Sequence, residues 1–457
     1  MKIYGNIIDV KEKRFFKGYI VVQDKRIKNI VEEQHSAENY ILPGLIDSHI
    51  HIESSMLVPS RFAEIAVRHG TVAVVSDPHE IANVMGTGGV EFMIENSRKV
   101  PLKFYFGAPS CVPATGFERS GGEIGAEEVG TLLKRKEIKF LSEMMNYPGV
   151  INQDRDVMEK IRLARRAGKP VDGHAPGLQG NALDKYIKAG ISTDHECITL
   201  DEAREKIRKG MKVQIREGSA ARALDRFHYL VAESPGMLML CSDDLHPEML
   251  EKGHINLLVK RLLVMGYDIF DILDIAVVNP SLHYGLDAGL LRKGDRADFI
   301  VTDNPEEFNI LETWIDGERV YDGENVSFIP PAIKPVNKFN SGHVKITDIK
   351  VENRHSRVRV IDAIDGDLFT GCYEWAHGET GKYIESNTKE DILKIVVKDR
   401  YNDGPPAVAF VRGFGLTAGA FASSVAHDSH NIIAVGSDDE AICRALNKVV
   451  DMKGGLV

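Results

Sequence analysis

A chain of 457 residues is longer than one ordinary domain, so two or three domains are expected. Apolar residues make up 43% and charged residues 27%, as is usual for a globular protein in water, while the net charge of −10 argues against nucleic acid or an anionic membrane as a partner. The five cysteines form no C-x-x-C pair, and the sequence shows no signal peptide and no apolar run long enough to span a membrane. A cytoplasmic protein is therefore expected.

The chain begins with three short strand-like segments separated by charged turns, at Lys2 to Val10, Tyr19 to Val22 and Ile27 to Val31. The rhythm changes at residue 43, where apolar strands begin to alternate with amphipathic segments of helical periodicity, such as Val157 to Ala167 and Ile255 to Met265. The predicted strands of this region are Gly44 to His49, Val72 to Ser76, Lys103 to Phe106, Lys139 to Ser142, Pro170 to Gly173, Ile191 to Asp194, Lys212 to Ile215 and Met237 to Cys241. Eight β-α units in 43–284 predict an α/β fold with a (β/α)8 TIM-like barrel.

Strand patterns return after the barrel, at Phe299 to Val301, Phe308 to Ile315 and Arg319 to Val320. We expect residues 1–42 and 285–332, the two flanks of the barrel, to form one small β-sandwich domain. The proline-rich run 330–335 predicts a linker. Residues 336–457 mix strands, at 358–361 and 391–397, with a terminal helix at 438–450, which predicts a third, α+β domain.

The strongest local motif is His49-Ile50-His51 at the end of the first barrel strand. Residues i and i+2 of a strand face the same side, so the two imidazoles can bind one metal ion. Taken alone, the motif is also compatible with two chance histidines. Its place after an apolar barrel strand favours the metal site.

Nearly all the other barrel strands also end in polar groups. These ends are Asp77 to Glu80, Glu143 to Pro148, Asp172 to His174, Asp194 to Glu196, Arg216 to Ser219 and Ser242 to Pro247. Barrel active sites lie at the carboxyl ends of the strands, and buried His, Asp and Glu are costly unless paired or bound to metal. Each residue alone has a simpler explanation, as a helix cap or a first-turn acid. Together they predict a two-metal hydrolytic site.

This pattern resembles the amidohydrolase superfamily, whose motif is H-x-H after strand one, a bridging Lys or Glu after strand four, His after strands five and six, and Asp after strand eight. The resemblance implies the metal ligands His49, His51, Glu143, His174, His195 and Asp243. The split β-domain and the segment Gly294 to Val301 are similar too.

Within that superfamily the sequence resembles the adenine deaminase family over nearly its whole length. The matching segments are DSHIHIESS (47–55), DPHEIAN (77–83), APSCVPAT (108–115), EMMNYPG (143–149), VDGHAPG (171–177), DHEC (194–197), IREGSA (215–220), SDDLHP (242–247) and AHDSHN (426–431). Family members usually continue beyond Val457, so we expect a C-terminal domain that is short or truncated. The P-C-x-x-C motif of the zinc nucleobase deaminases is absent from the sequence.

The resemblance implies hydrolytic deamination of adenine to hypoxanthine and ammonia by a metal-activated hydroxide. It implies a binuclear Mn(II) or Fe(II) centre, while the mixed N/O ligands also suit Zn(II). Asp243 or Asp244 is expected to take the proton of the water, His79 to orient that water, and Glu80 is a weaker choice for the same task. The residues expected to meet the purine edges, unless they only bond within their loops, are Arg216, Glu217, Ser219 and Glu53.

Two alternatives stay open at this point. One is an amidohydrolase with another substrate, such as a different nucleobase or a cyclic amide. The other is a metal-free structural relative, against which the six intact ligand positions argue. A homo-oligomer is expected from the resemblance. His427, Asp428 and His430 are favoured as a solvated surface turn, with an active-site role or a further metal site as the other readings.

Overall fold

The structure, a computed structural model, describes residues 1–365, 368–378 and 380–457. Their contacts separate two compact units. The first unit comprises Met1–His79, Thr87–Cys111 and Ile124–Ile333, and the second comprises Glu80–Gly86, Val112–Glu123 and Lys334–Val457. The second unit therefore takes two short segments from the first half of the chain. The division into three domains stays a prediction.

The strands of the first unit are β1 (Lys2–Asp9), β2 (Arg14–Gln23), β3 (Arg26–Glu32), β4 (Tyr40–Pro43), β5 (Leu45–Ile50), β6 (Thr71–Ser76), β7 (Lys103–Ala108), β8 (Ile138–Met144), β9 (Val171–Gly173), β10 (Thr193–Asp194), β11 (Lys212–Arg216), β12 (Leu238–Cys241), β13 (Phe299–Thr302), β14 (Ile310–Ile315) and β15 (Glu318–Tyr321). The α-helices before residue 333 are α1 (Pro59–Ala66), α2 (His79–Met85), α3 (Thr87–Ser97), α4 (Ala126–Leu132), α5 (Tyr147–Ile151), α6 (Arg155–Arg166), α7 (Gly180–Ala189), α8 (Leu200–Arg208), α9 (Leu224–Phe227), α10 (Leu230–Glu233), α11 (Pro247–Leu250), α12 (Ile255–Val264), α13 (Ile269–Leu273) and α14 (Asn279–Tyr284).

The two flanks of the barrel form one seven-stranded sheet in the order β15-β14-β13-β4-β1-β2-β3. Strands from both flanks pair in one sheet, as expected, while the bounds of a separate β-domain stay a prediction. A sandwich was expected, but the structure has one continuous sheet, because β4 pairs in parallel with β1 and antiparallel with β13. Its core includes Phe299 stacked on Trp314, with ring centroids 5.4 Å apart.

All eight predicted barrel strands are present, and the barrel prediction is confirmed. Strands β5 to β9 form one parallel ladder and β10 to β12 another. Single parallel bridges, Val171 to Ile191 and Ile50 to Asp243, connect the two ladders and close the ring. Strands β5 and β6 are buried along their whole length, as expected for parallel strands covered on both faces. The carboxyl ends of the eight strands therefore meet at one face of the barrel.

The second unit contains β16 (Val351–Glu352), β17 (Val358–Asp362), β18 (Gly371–Trp375), β19 (Tyr383–Ile384), β20 (Leu393–Lys398), β21 (Ala407–Arg412), β22 (Ala420–Ser423), β23 (Ile432–Gly436) and α15 (Asp439–Met452). Six of these strands form a sheet in the order β18-β17-β21-β20-β23-β22. Ile442, Leu446 and Val449 of α15 lie buried in a core shared with strands of that sheet. The α+β prediction is confirmed. Among the described residues, a helix long and apolar enough to cross a membrane is not found.

Candidate active site

The H-x-H motif places two imidazoles side by side at the end of β5. His49 Nε2 and His51 Nε2 lie 3.2 Å apart, and both side chains are buried. Oδ1 of Asp243, which follows β12, lies 3.5 Å from His49 Nε2 and 3.3 Å from His51 Nε2. The first and last strands of the barrel thus bring three ligand-type atoms to one point.

Glu143, at the end of β8, lies between two pairs of histidines. Its Oε1 is 3.3 Å from His51 Nε2 and 3.3 Å from His79 Nδ1. Its Oε2 is 2.7 Å from His174 Nδ1 and 3.1 Å from His195 Nε2. Because each carboxylate oxygen faces a different pair, Glu143 has the arrangement of a ligand that bridges two ions.

The donor set fits divalent metal ions. Several groups of described side chains have ligand atoms within 4.8 Å of one another, among them His51–Asp77–His79–Glu143, His49–His195–Asp243 and Glu143–His174–His195. Among the described residues, Nδ1 of His49 and Nδ1 of His195 are buried without a hydrogen-bond partner, so these rings are not held in place by hydrogen bonds from that side. Imidazole nitrogen with carboxylate oxygen suits manganese, iron or zinc.

The electrostatics of the cluster keep its carboxylates ionised. Burial tends to raise the pKa of Glu143, but His174 and His195 outweigh burial and hold that pKa well below its usual value. Burial likewise opposes ionisation of Asp243, and hydrogen bonds from His49 and His51, together with the charge of a nearby arginine, lower its pKa well below the ordinary value. Ionised carboxylates are the form that binds metal.

Backbone hydrogen bonds fix Asp243 relative to the two histidines of the H-x-H motif. Its N–H donates to the carbonyl of His49 at 2.9 Å, and its carbonyl accepts from the N–H of His51 at 3.2 Å. Asp243 has a φ of 55°, in the left-handed region that non-glycine residues rarely occupy. Strained residues of this kind cluster at functional sites.

Asp47 connects the strand of the H-x-H motif to the loop that carries Asp243. Its Oδ1 accepts from the N–H groups of His49 at 3.2 Å and Ser242 at 3.1 Å. Its Oδ2 accepts from the hydroxyl of Ser242 and lies 2.7 Å from His254 Nε2. All four residues are buried, so Asp47 connects the segment that carries His49 to the segment that carries Asp243.

The structure gives Arg216, predicted to contact substrate, two carboxylate partners. Its Nη1 lies 2.7 Å from Asp243 Oδ2, and its Nη2 lies 2.7 Å from Glu196 Oε2. A second contact joins Nη1 to the other oxygen of Glu196. Arg216 is therefore placed to orient Asp243, and a direct contact between Arg216 and substrate stays a prediction.

The other predicted substrate residues lie in the loops around the cluster. Glu217 is paired with Arg261 and accepts from the N–H of Leu224 at 3.1 Å. The hydroxyl of Ser219 accepts from the N–H of His246 at 2.8 Å. Glu53, the last of the predicted substrate residues, is half-buried in the turn Ile52–Ser55. Their roles at the purine stay predictions.

The two remaining acids predicted for the reaction differ in their surroundings. Asp244 accepts a hydrogen bond from the hydroxyl of Ser54 at 2.6 Å, and a carboxylate oxygen of Asp244 lies within 4.8 Å of a ring nitrogen of His51 and a carboxylate oxygen of Asp243. Glu80 is buried in the second unit, where His427 and His430 contact its two carboxylate oxygens. The interpretation of residues 427–430 as a solvated turn is wrong for His430, which is 8% exposed, because it binds a buried carboxylate.

The sequence interpretation assigned no individual role to three residues of the site. Asp77 Oδ2 lies 3.1 Å from His79 Nδ1, Glu196 binds Arg216, and Asp47 binds the backbone of His49. Each stands within two residues of a predicted site residue at a strand end. That position was the available signal, but it does not distinguish a ligand from a residue that supports one.

Comparisons with known proteins agree with this geometry. The sequence matches the Amidohydrolase family over residues 40–320 and the Adenine deaminase C-terminal domain over residues 368–457. It is 51% identical over 468 residues to the adenine deaminase of Methanosarcina mazei, covering 100% of this chain and 84% of that protein. It is 50% identical over 455 residues to the adenine deaminase of Salinibacter ruber, covering 99% of this chain and 84% of that protein.

Solved structures share the fold at lower sequence identity. The β-aspartyl dipeptidase of Fervidobacterium islandicum matches with a TM-score of 0.54 at 16% identity, over 72% of this chain and 99% of its own. The N-acetyl-D-glucosamine-6-phosphate deacetylase of Mycobacterium smegmatis matches with a TM-score of 0.52 at 15% identity, over 70% of this chain and 100% of its own. At such identities the likeness concerns the fold alone. The sequence matches, which span the whole chain, establish that it belongs to the adenine deaminase family of the amidohydrolases.

Proposed function

We propose that this chain catalyses the hydrolytic deamination of adenine to hypoxanthine and ammonia at the cluster around Glu143. One observation carries the proposal, namely that the two oxygens of Glu143 face different pairs of histidines in a buried site. Adenine is chosen as the substrate because relatives about half identical to this chain are named adenine deaminases.

Six residues would hold two divalent ions, with Glu143 shared between them: His49, His51, Glu143, His174, His195 and Asp243. Mn(II) is proposed as the metal, and Fe(II) or Zn(II) would suit the same donors. When bound, such ions lower the pKa of a water molecule so that hydroxide is available near neutral pH. Asp77 and His79 belong to the same cluster and are further candidate ligands.

The chain's own residues then move the protons. Oxygen from water becomes attached to C6 of adenine, and the bond from C6 to the amino nitrogen breaks. Of the two protons of the water, one leaves with that nitrogen as ammonia and the other remains on hypoxanthine at N1. Asp243, ionised and held by Arg216, would accept the first of these protons and deliver it to the leaving nitrogen. Asp244, held by Ser54, is the alternative acceptor. His79 would orient the water.

We further propose that the protein works in the cytoplasm as a homo-oligomer. The free thiols of all five cysteines support a reducing compartment. Light scattering coupled to size-exclusion chromatography would measure the mass of the assembly. A mass of one chain would contradict the oligomer.

The reaction is tested with purified protein loaded with Mn(II) under low oxygen. Ammonia release and the ultraviolet change from adenine to hypoxanthine are followed together, and bound metal is counted by elemental analysis. We expect about two ions per chain at a two-metal site, with turnover lost in His49→Ala and Asp243→Asn. His343→Gln is the matched control, since this exposed histidine contacts only Asp451 in the described hydrogen bonds.

The outcomes separate the parts of the proposal. If two ions bind but adenine is not consumed, the metal site stands and the substrate is wrong, so other purines and cyclic amides are assayed next. If no metal binds, the two-metal site is wrong. Activity that survives Asp243→Asn would assign the proton transfer to another group, with Asp244→Asn as the next variant.

A further inference from the structure

The second unit contains a buried carboxylate held on both sides. Glu80 is 1% exposed, and Nδ1 of His427 lies 2.7 Å from its Oε1. Nε2 of His430 contacts its Oε2. An ionised carboxylate is costly to bury unless it accepts hydrogen bonds, and a separate donor on each oxygen fixes its orientation as well as its charge.

The loop that supplies the two histidines is itself anchored on both sides. The hydroxyl of Tyr401 donates to the carbonyl of Ser429 at 2.6 Å, and the hydroxyl of Ser429 contacts Glu118. Nδ2 of Asn431 donates to the carbonyl of Arg119 at 2.9 Å. The loop is therefore anchored by hydrogen bonds on both sides of His430, which distinguishes it from a surface turn that happens to touch an acid.

The segment that carries Glu80 is fixed in the same unit. The carbonyl of Asn83 accepts from the N–H groups of Gly121 at 2.6 Å and Gly122 at 3.1 Å. A Cβ atom at Gly122 would lie 2.3 Å from the backbone nitrogen of Gly86, so glycine is required for this close approach. Both the carboxylate and its donors thus sit on anchored backbone.

Along the chain, Glu80 directly follows His79, whose ring belongs to the cluster around Glu143. We infer that His427 and His430 are positioning residues, which hold the carboxylate of Glu80 in the orientation that the deamination requires. The inference rests on the proposed function. It gives residues 426–431 a task in the reaction, although they lie in a different part of the sequence from the metal ligands.

A double-mutant cycle tests the inference. Glu80→Gln, His430→Leu and the double variant are compared for kcat and KM with adenine. Loss of a hydrogen bond to a charged group corresponds to a loss in kcat/KM of about tenfold to a hundredfold. If His430 acts through Glu80, His430→Leu has almost no further effect once Glu80 is glutamine. If the losses in kcat/KM of the two single variants instead multiply in the double variant, the inference is overturned.

Amide substitutions give an independent readout. The amide nitrogen of glutamine lies near the place of histidine Nε2, and that of asparagine near Nδ1. Because His430 uses Nε2, His430→Gln should keep more of the wild-type kcat/KM than His430→Leu does. Because His427 uses Nδ1, His427→Asn should likewise keep more kcat/KM than His427→Leu does. His430 has a φ of 53°, so Gln and Leu face a similar backbone cost at this position and their difference reports the side chain.

Metal content and unfolding midpoint are measured for every variant, with the exposed His343→Leu as the control in the same unit. A variant that loses kcat/KM while keeping both values supports positioning. Equal losses in the Gln and Leu variants of His430, or an effect that follows the unfolding midpoint alone, would overturn it. An inactive wild-type protein that binds two ions would instead show that the proposed function has failed.

Discussion

Arg216 Nη1 lies 2.7 Å from Asp243 Oδ2, on the side of the carboxylate opposite the oxygen that faces His49 and His51. The same guanidinium binds Glu196 with both of its terminal nitrogens. One planar group thus sets the direction of the proposed proton acceptor while being braced by a second acid. A lysine has the charge of arginine but not this fork of donors.

We expect Arg216→Lys to lower kcat for adenine by about tenfold to a hundredfold, because the ammonium group cannot bind Asp243 and Glu196 together in the same geometry. Metal content should stay near that of the wild type, since Arg216 donates to one proposed ligand, Asp243, and is not itself a ligand. Steady-state kinetics and elemental analysis on the same preparation check this. A variant with unchanged kcat would show that Asp243 does not need the arginine.

Glu143→Gln should reduce the bound metal to at most one ion per chain. An amide offers one oxygen where the carboxylate offers two, and its nitrogen does not accept a metal bond. Elemental analysis after dialysis against Mn(II) measures the ratio. Glu137→Gln is the matched control, because Glu137 precedes β8 and pairs with Arg98. Two ions retained in Glu143→Gln would rule out the bridging role.

Lys206→Met should destabilise the first unit strongly. Lys206 Nζ is buried, 2.5 Å from Asp194 Oδ2 and 2.6 Å from Glu202 Oε1, so methionine would leave two buried acids without their cation. Breaking such a buried pair costs about 3–5 kcal/mol. Lys209→Met, at a more exposed pair one residue beyond α8, should lower the unfolding midpoint far less, because solvent screens that pair.

Thermal unfolding followed by circular dichroism compares the two lysine variants. Because the Nζ of Lys206 also donates to the carbonyl of Ala175, one residue after His174, the metal content of Lys206→Met is measured too. Equal unfolding midpoints for the two variants would contradict the difference in burial on which the prediction depends.

His283 should make the fold sensitive to mild acid. Burial, with a smaller contribution from Lys212, lowers its pKa from 6.5 to about 4 in the folded protein. The unfolded chain therefore binds the proton more tightly, so this contribution to stability is complete above pH 6.5 and is lost as the pH falls from 6.5 towards 4. In His283→Gln the unfolding midpoint should fall less between pH 7 and pH 5 than in the wild type.

The measurement is the midpoint of thermal unfolding at several pH values, and exposed His343→Gln should keep the acid sensitivity of the wild type. If wild type and His283→Gln lose stability in parallel, the buried imidazole is not a source of the acid sensitivity.

The barrel and the group of strand-end residues were predictable because both follow from local patterns. Apolar strands alternate with helical periodicity, and His49 and His51 are two residues apart on a strand whose end must face the site. The convergence of Glu143, His174 and His195 then follows from closing the ring. The convergence of these residues can therefore be predicted from the barrel geometry alone, without knowledge of any side-chain contact.

The partners of Arg216 and Glu80 were not predictable in the same way. Whether an arginine at a strand end meets substrate or a neighbouring acid depends on the stagger between strands, which the periodicity does not record. The binding of Glu80 by His427 and His430 joins positions far apart in sequence. Likewise, the strand character of Tyr40–Pro43 depends on pairing with β1 and β13 more than on its own short sequence.

The membership of residues 80–86 and 112–123 in the second unit has a consequence for how the chain can be made or divided. During translation these segments leave the ribosome long before residues 334–457, so the second unit can complete its fold only when synthesis of the whole chain is nearly finished. Cutting the gene at the proline-rich run would give a C-terminal fragment without Glu80 and Glu118, whose partners His430 and Ser429 it would still contain. The second unit is thus discontinuous in the sequence, and exchanging it between relatives would require exchanging both early segments together with the C-terminal part.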